Sequence, residues 1–244
     1  MSEHASSPDE VIEVDTGCAA RALFTTRAGG VSAGPYASLN LSPDVGDRPQ
    51  DVAANRARLA ARAGLDPARV VSLRQVHGAE VVPVAEAPPE RPCGDAAVTG
   101  AEGLGLMVLA ADCVPVLVWR MDGTRVGAAH AGRRGLVGGV IEAVVRELAG
   151  GEGVGAAVGP AIGPCCYEVS EDVREPFIAR FGPSVGRGSH LDLPGAAVAA
   201  LLDAGVDAGA ITVVDRCTRC NPDALFSYRG ADGVCGRQCG MVWR

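Results

Sequence analysis

Short apolar runs alternate along most of the chain with longer stretches in which apolar residues recur at helical spacing. The short runs, bounded by Gly, Pro and Asp, predict strands. They lie at 20–27, 70–76, 80–84, 104–111, 114–119, 124–129, 155–158 and 211–214. Helical spacing predicts helices at 47–63, 135–148, 171–181 and 196–204. Strands and helices do not alternate regularly, which favours an α+β or layered α/β fold over a doubly wound one.

The first residues, MSEHASSPDE, are polar and acidic, without the basic start and apolar stretch of a secretory signal. We therefore expect a flexible N-terminal tail over 1–19 and one catalytic domain over 20–244. No apolar run approaches the roughly 18 residues of a membrane helix, so we expect a cytoplasmic protein without membrane association.

Charge and composition exclude several classes of function. The formal net charge is −7, and no Arg-rich face is evident, which argues against nucleic-acid binding. All 22 Lys+Arg residues are arginine, so Schiff-base chemistry and a P-loop lysine are excluded. The nine cysteines are an odd number in a chain without an export signal, which favours thiols, ligands or a nucleophile over a disulfide framework.

Three side chains capable of metal binding lie at the ends of predicted strands. His77 and His130 each follow a strand and stand beside glycine, and Cys113 follows the run 104–111. Such positions hold side chains rigidly at one rim of a sheet, and His, His and Cys are ligands that zinc prefers. Three protein ligands leave the fourth position open, as in catalytic zinc sites.

Other interpretations of the same residues remain open, because their spacing matches no short zinc motif. They are equally compatible with a packed histidine, a surface histidine and a buried free cysteine. Cys113 could also be a thiolate nucleophile with His130 or His77 as its base, and Asp112 could orient the imidazole.

Two further segments are candidate ligand sites. Backbone N–H groups of the loop Gly29–Ser38 could bind an anion, although a tight surface loop is an equal alternative. Arg133 and Arg134 precede a helix that begins near Gly135, which is a favourable place for phosphate unless the two arginines are simply solvated.

Four cysteines near the C-terminus suggest a second, structural zinc. The pattern resembles a zinc ribbon, except that the second pair is one residue longer than the common CxxC form. The ribbon would comprise Cys217, Cys220, Cys235 and Cys239. Free or partly buried thiols are the favoured alternative.

Segments along nearly the whole chain from residue 20 resemble one family in the family's own order. It is the family long described as multicopper polyphenol oxidases (laccases) and later recognised as purine nucleoside phosphorylases. The matching segments are FTTRAGGVSAGPYASLNL (24–41), RQVHG (74–78), GDAAVTG (94–100), ADCVPVLV (111–118), HAGRRG (130–135), AVGPAIGPCCYEV (157–169), HLDL (190–193) and CTRCNPDALFSYRG (217–230), followed by GRQ.

This resemblance implies a single-domain layered α/β sandwich in which mixed sheets are flanked by helices. It implies one catalytic Zn²⁺ on His77, Cys113 and His130. It also implies phosphorolysis of adenosine, inosine, guanosine and methylthioadenosine, with hydrolytic deamination of adenosine as a further activity. The fold is similar to that of a bacterial toxin deamidase with a Cys–His active site.

The chain departs from the family pattern at Arg133, where HAGWRG has tryptophan, and this puts substrate preference in question. The family also lacks cysteines at 235 and 239 in many members, which does not support the ribbon. The candidate substrate contacts are Asn40, Arg48, Gln75 and Arg133.

Three functions follow from these residues. The first is a zinc-dependent purine nucleoside phosphorylase with adenosine deaminase activity, whose partners are a nucleoside and phosphate. The second is an amide hydrolase that uses Cys113 and His130 on a peptidoglycan precursor, and the third is a non-catalytic zinc protein. Multicopper oxidation is discounted, because it needs further histidine-rich copper sites. We expect a monomer or a weak dimer.

Overall fold

The computed structural model describes residues 11–151 and 153–244. In chain order its strands are β1 (Val11–Val14), β2 (Arg21–Thr25), β3 (Val70–Ser72), β4 (Val81–Pro83), β5 (Ala96–Thr99), β6 (Gly105–Ala110), β7 (Val114–Arg120), β8 (Val126–Ala131), β9 (Val154–Val158), β10 (Gly186–Arg187), β11 (His190–Leu191), β12 (Ile211–Val213) and β13 (Gln238–Trp243). The α-helices are α1 (Pro49–Ala63), α2 (Arg133–Gly138), α3 (Val140–Leu148), α4 (Glu171–Phe181) and α5 (Leu193–Asp203).

The strands form two large mixed sheets and one short ribbon. The five-stranded sheet has the order β1-β2-β13-β6-β3, and the six-stranded sheet has the order β12-β9-β7-β8-β5-β4. Three pairs are parallel, namely β3 with β6, β4 with β5 and β12 with β9, whereas the others are antiparallel. The predicted single-domain α/β architecture with mixed sheets flanked by helices is confirmed.

The two sheets pack face to face, and helices cover their outer faces. Leu117 and Trp119 of β7 point towards the five-stranded sheet, and Val116 and Val118 point towards the helices. This alternation follows from the two-residue period of a strand, and burial of both faces explains the unbroken apolar run of β7. On the far side of the five-stranded sheet, Leu59 of α1 closes a third apolar cluster.

Phe24 occupies the space between the sheets because two glycines make room for its ring. A Cβ at Gly159 would lie 2.3 Å from Cε1 of Phe24, and one at Gly240 would lie 3.0 Å from the same atom. Phe24 is completely buried. The two glycines are therefore required by close packing between the sheets.

The predicted helix 135–148 is interrupted. Gly139 has a φ of 85°, so α2 ends there and α3 begins at the next residue. The predicted end of α1 at Gly64 is confirmed, with a φ of 70° and a backbone N–H that donates to Ala60 and Ala61.

The N-terminal boundary differs from the prediction. The part of the predicted tail at 1–10 lies outside the described residues. Residues 11–14 form β1, which pairs in register with β2, so the prediction of a flexible tail is wrong for this segment. Hydrogen bonding to β2 and burial of Val11 hold it in place. Within the described residues, no helix has the length and apolar character needed to cross a membrane.

Candidate metal centre and active site

His77, Cys113 and His130 come together where β7 begins and β8 ends. These antiparallel strands pair Val114 with Ala131, so Cys113 lies next to the end of β8 that carries His130. His77 comes from the loop between β3 and β4. One ligand atom from each of the three residues lies within 4.8 Å of the others, and the two imidazole rings meet edge to face with centroids 4.9 Å apart.

Asp95 positions both histidines. Its completely buried carboxylate accepts hydrogen bonds from the backbone N–H groups of Val76 (3.0 Å), His77 (2.9 Å) and Gly78 (2.7 Å). These bonds stabilise the left-handed backbone of His77, whose φ is 61°. Nδ1 of His130 lies 2.8 Å from Oδ1 of Asp95, which leaves Nε2 free for a metal.

Sequence reasoning missed Asp95 because it lies in GDAAVTG, remote along the chain from either histidine. The motif itself was a signal, since it belongs to the segments that carry the family resemblance. The carboxylate that orients the imidazole of His130 is Asp95, whereas the sequence suggested Asp112 for this role. Asp112 instead accepts hydrogen bonds from Thr218 Oγ1 (2.6 Å), Ser227 Oγ (2.7 Å) and the backbone N–H of Arg229 (2.6 Å).

Asp112 thereby anchors the turn that presents Cys113. Its backbone φ of 93° is unusual for a side-chain-bearing residue, and the three accepted hydrogen bonds hold it there. Its own carbonyl accepts from Ile162 N–H at 2.9 Å, so three separate loops meet at this residue. The position of Cys113 therefore depends on contacts that its neighbour Asp112 makes with these loops.

Gly132 leaves the space that the cluster needs. A Cβ at this position would lie 2.9 Å from Sγ of Cys113 and 3.1 Å from Cδ2 of His77. Any larger residue would push these two side chains away. The glycine of the HAG motif is therefore explained by the close approach of two candidate ligands.

The three side chains favour a thiolate beside an imidazolium. Burial opposes both charges, but the positive charge of His130 and hydrogen bonds from both histidines lower the pKa of Cys113 to about 6. Burial alone would lower the pKa of His130. The charge of the Cys113 thiolate and the hydrogen bond to Asp95 outweigh this effect and raise the pKa to about 9. A thiolate is the form of cysteine that binds metals and attacks electrophiles.

The cluster lines a cavity of about 580 Å³, which is within the size range of small-molecule sites. Arg74, Arg229 and Arg237 also line it. The Arg229 guanidinium lies over the ring of Tyr167 at 5.4 Å, and that of Arg237 lies over Tyr228 at 5.4 Å. Both tyrosines line the cavity, which therefore combines cationic groups with aromatic faces.

Comparison with known proteins identifies the family. A model described as multi-copper polyphenol oxidoreductase laccase matches residues 21–244. The chain belongs to this family. It is 45% identical over 232 residues to a purine nucleoside phosphorylase of Streptomyces coelicolor, covering 90% of this chain and 93% of the relative. It is 40% identical over 229 residues to the purine nucleoside phosphorylase YfiH of Escherichia coli, covering 91% and 93%.

Solved structures of this laccase-like family have the same fold. YlmD from Geobacillus stearothermophilus superposes with a TM-score of 0.86 at 36% identity, covering 92% of each chain. A Neisseria meningitidis protein superposes with a TM-score of 0.87 at 37% identity, covering 96% of this chain and 99% of the other. The resemblance inferred from the motifs is thus confirmed.

The donor set fits one zinc ion better than the copper centres that the family description implies. Two groups of three or more potential ligands occur among the described residues, and only the group at His77, Cys113 and His130 contains histidine. Multicopper oxidation needs additional histidine-rich sites. Zinc–nitrogen and zinc–sulfur bonds of about 2.0–2.3 Å place ligand atoms roughly 3.3–3.8 Å apart, and the ligand atoms of the three residues lie within 4.8 Å of one another.

The predicted substrate contacts occupy different places relative to the cavity. Gln75 lines it, but its amide pairs with the backbone of Leu109, with Nε2 donating at 2.8 Å and Oε1 accepting at 2.8 Å. Half-buried Arg133 is not among the residues that line the cavity, but it lies beside the hydroxyl of Tyr167, which does line it. Burial raises the pKa of that hydroxyl, and the charges of Arg133 and Arg229 act in the opposite direction.

Asn40 and Arg48 are not among the residues that line the cavity. Asn40 is completely buried and holds the chain by donating to Ser42 O and Asp47 Oδ2 and accepting from the N–H of Arg237. Exposed Arg48 forms an ion pair with buried Asp51 at the start of α1. Their positions favour structural roles.

The loop Gly29–Ser38 also lies outside the residues that line the cavity. Its N–H groups bond within the protein, for example Val31 to Asn55 Oδ1 (2.8 Å) and Ser32 to the carbonyl of Ser38 (3.0 Å). Donors that are already bonded within the protein are not presented to an anion. The alternative of a tight loop describes it better.

The zinc ribbon that the cysteine spacing suggested does not form, and Cys235 and Cys239 are free thiols, as the favoured alternative has it. Cys235 and Cys239 are buried away from the other pair, Cys235 beside Arg237 (3.3 Å) and Cys239 beside Thr25 Oγ1 (3.8 Å). Cys217 and Cys220 instead meet Cys165 and Cys166. Long-range packing, which spacing along the chain does not report, decides the partners.

Proposed function

We propose that this protein is a zinc-dependent purine nucleoside phosphorylase acting on adenosine, inosine, guanosine and methylthioadenosine, with hydrolytic deamination of adenosine as a side activity. The observation that carries the proposal is the three-ligand cluster on the wall of a cavity that also holds three arginines and two tyrosines. The names of the relatives support the phosphorylase reaction.

His77, Cys113 and His130 would hold the zinc ion. The cluster contains three ligands among the described residues, and all three line the cavity, so a fourth position would face the substrate. This arrangement supports a catalytic ion over a non-catalytic one with four protein ligands. Bound there, zinc would supply Lewis acidity to the cavity.

The arginines of the cavity are suited to bind phosphate. Arg237 donates to the carbonyls of Cys235 (2.8 Å) and Gly236 (3.0 Å) through one nitrogen, which fixes the guanidinium and leaves its other N–H groups for an anion. Arg229 is held in the same way by the carbonyl of Glu168 at 3.1 Å. Guanidinium groups bind phosphate through paired hydrogen bonds, so positioned arginines favour the phosphate nucleophile.

The tyrosines are suited to bind the purine. Tyr167 and Tyr228 present rings to the cavity, and a purine can stack on such a face. Burial raises the pKa of Tyr167, which favours a protonated hydroxyl that can donate a hydrogen bond to a ring nitrogen.

The decisive assay incubates zinc-loaded protein with adenosine in the presence and absence of phosphate. We expect phosphate to convert adenosine to adenine and ribose 1-phosphate in equal amounts, and to be required for adenine release. Inosine formed without phosphate would report the deaminase activity. Failure of every purine nucleoside to react with zinc-loaded protein would refute the proposal.

Arg237→Gln tests the phosphate site. We expect its KM for phosphate to rise at least about tenfold, because a charge-assisted paired contact is lost. Arg134→Gln is the matched control, since Arg134 is exposed and is not among the residues that line the cavity. An unchanged KM in Arg237→Gln would move the phosphate site elsewhere.

The same geometry supports a second candidate, an amide hydrolase acting on a peptidoglycan precursor. The observation that favours it is the lowered pKa of Cys113 beside His130, which is in turn oriented by Asp95. Chelation separates the candidates. Amide hydrolysis that survives metal removal and is abolished in Cys113→Ser would favour the hydrolase, whereas loss of nucleoside phosphorolysis on chelation and its return with zinc would favour the phosphorylase.

A further inference from the structure

Four cysteine sulfurs from two distant segments meet at one place outside the candidate active site. They belong to Cys165, Cys166, Cys217 and Cys220, and all lie within 4.8 Å of one another. Sγ of Cys220 is 3.6 Å from Sγ of Cys165 and 3.4 Å from Sγ of Cys166. All four are free thiols, so no covalent bond explains their convergence.

Backbone contacts hold the two segments in register. Ala161 and Cys217 form a parallel bridge, and the N–H of Thr218 donates to the carbonyl of Ala161 at 3.0 Å. The N–H of Gly163 donates to Sγ of Cys217 at 3.3 Å. Donation from a backbone N–H to sulfur stabilises a thiolate, so at least one of the sulfurs is prepared for a cation.

The shape of the cluster fits a tetrahedral thiolate site. Four sulfurs around a zinc ion at about 2.3 Å are roughly 3.8 Å from one another. The two separations at Cys220 are 3.6 and 3.4 Å, and all four sulfurs lie within 4.8 Å of one another. Four cysteines with no histidine or water position are typical of structural zinc sites. Cys165 and Cys220 are exposed, which gives a metal or a chelator access.

We infer that Cys165, Cys166, Cys217 and Cys220 bind a second zinc ion, which joins the loop after β9 to the loop after β12. This inference does not depend on the proposed function. On binding, the thiols lose their protons to solvent and zinc forms four sulfur bonds without any redox step. The ligand set replaces the ribbon that spacing along the chain suggested.

The two loops that the four cysteines join also contact the turn that carries Cys113. Thr218 lies between two of the cysteines and donates to Asp112, the residue that anchors the Cys113 turn. Ile162, in the loop that carries Cys165, donates its N–H to the carbonyl of Asp112. A zinc ion at the four cysteines would therefore restrain both contacts on which the position of Cys113 depends.

The test measures zinc per chain in protein purified under reducing conditions and saturated with zinc. We expect two zinc ions per chain in the wild type, and one each in His77→Ala and in Cys220→Ser. Cys18→Ser is the matched control, because Cys18 is partly buried and belongs to neither cluster, and it should retain both ions.

X-ray absorption identifies the ligands directly, and the His77→Ala protein is used so that the four-cysteine site is observed alone. We expect only sulfur neighbours, at about 2.3 Å. Cys220→Ser should also lower the melting temperature of zinc-loaded protein towards that of chelated wild type, which shows that the variant folds and that the ion stabilises the loops.

Three results would overturn the inference. One is an unchanged zinc count in Cys220→Ser. Another is nitrogen or oxygen as the main zinc neighbour in His77→Ala. The third is a disulfide among the four cysteines, detected by peptide mass in wild type purified with thiol-blocking reagent, together with one zinc per chain.

Discussion

Asp95→Asn is the most informative single change, because one buried carboxylate holds both histidines of the candidate metal centre. The replacement has the same shape, but one of its two terminal atoms becomes an NH₂ group that cannot accept a hydrogen bond. Each oxygen of Asp95 accepts two bonds, so either the pair from Val76 and Gly78 or the pair from His77 and His130 is lost.

The magnitude follows from the number of bonds lost. Two hydrogen bonds to a charged acceptor, at about 1.5–3 kcal/mol each, amount to about 3–6 kcal/mol of unfolding free energy. Loss of the carboxylate partner of a metal-binding histidine weakens metal binding about 10–100-fold. Urea unfolding of the metal-free protein measures the first quantity, and zinc competition with a chromogenic chelator measures the second.

Asp44→Asn is the control, because it makes the same chemical change in the lining of the same cavity. The side chain of Asp44 is 57% exposed and forms an ion pair with Arg91, so its loss should cost less than about 1 kcal/mol and leave zinc affinity unchanged. Wild-type zinc affinity and stability in Asp95→Asn would refute the assignment of Asp95 as the positioning residue.

Three other changes address the thiolate, the space around it and the core. In metal-free protein, the rate at which iodoacetamide alkylates Cys113 should rise as pH increases through about 6, the lowered pKa of its thiol, and His130→Gln should move this midpoint upward. Site-resolved mass spectrometry measures both, and a midpoint at the pKa of an ordinary thiol would contradict the ion pair. Gly132→Ala should weaken zinc binding at least about tenfold, since its Cβ would meet Cys113 Sγ at 2.9 Å, whereas Gly138→Ala meets its neighbour at an ordinary 3.4 Å and should not. Phe24→Ala should lower the unfolding free energy by about 3–5 kcal/mol in urea titration and leave the zinc stoichiometry unchanged. A smaller loss would mean that the two sheets move together to fill the space left by the ring.

Local pattern was sufficient for the elements and for the three candidate ligands. The apolar run of β7, the helix α1 with Gly64 at its end and the position of α4 were all predicted from periodicity and end signals. His77, Cys113 and His130 were recognisable because each follows a predicted strand. In the structure His130 lies within β8 and Cys113 directly precedes β7, whereas β3 ends at Ser72 and His77 lies in the loop beyond it. The zinc they are proposed to bind rests on the family resemblance and on donor chemistry.

Tertiary structure alone decided which remote side chains meet. Asp95 contacts His130, which is 35 residues away along the sequence, and Cys166 contacts Cys220, which is 54 residues away. The hydrophobic periodicity of the sequence indicates neither contact, because each contact depends on how two loops approach each other in the folded protein. Spacing along the chain suggested Cys235 and Cys239 as partners of Cys217 and Cys220, although free thiols were the favoured interpretation. Pairing of β13 between β2 and β6 buries Cys239 in the five-stranded sheet, and this removes it from any exposed site.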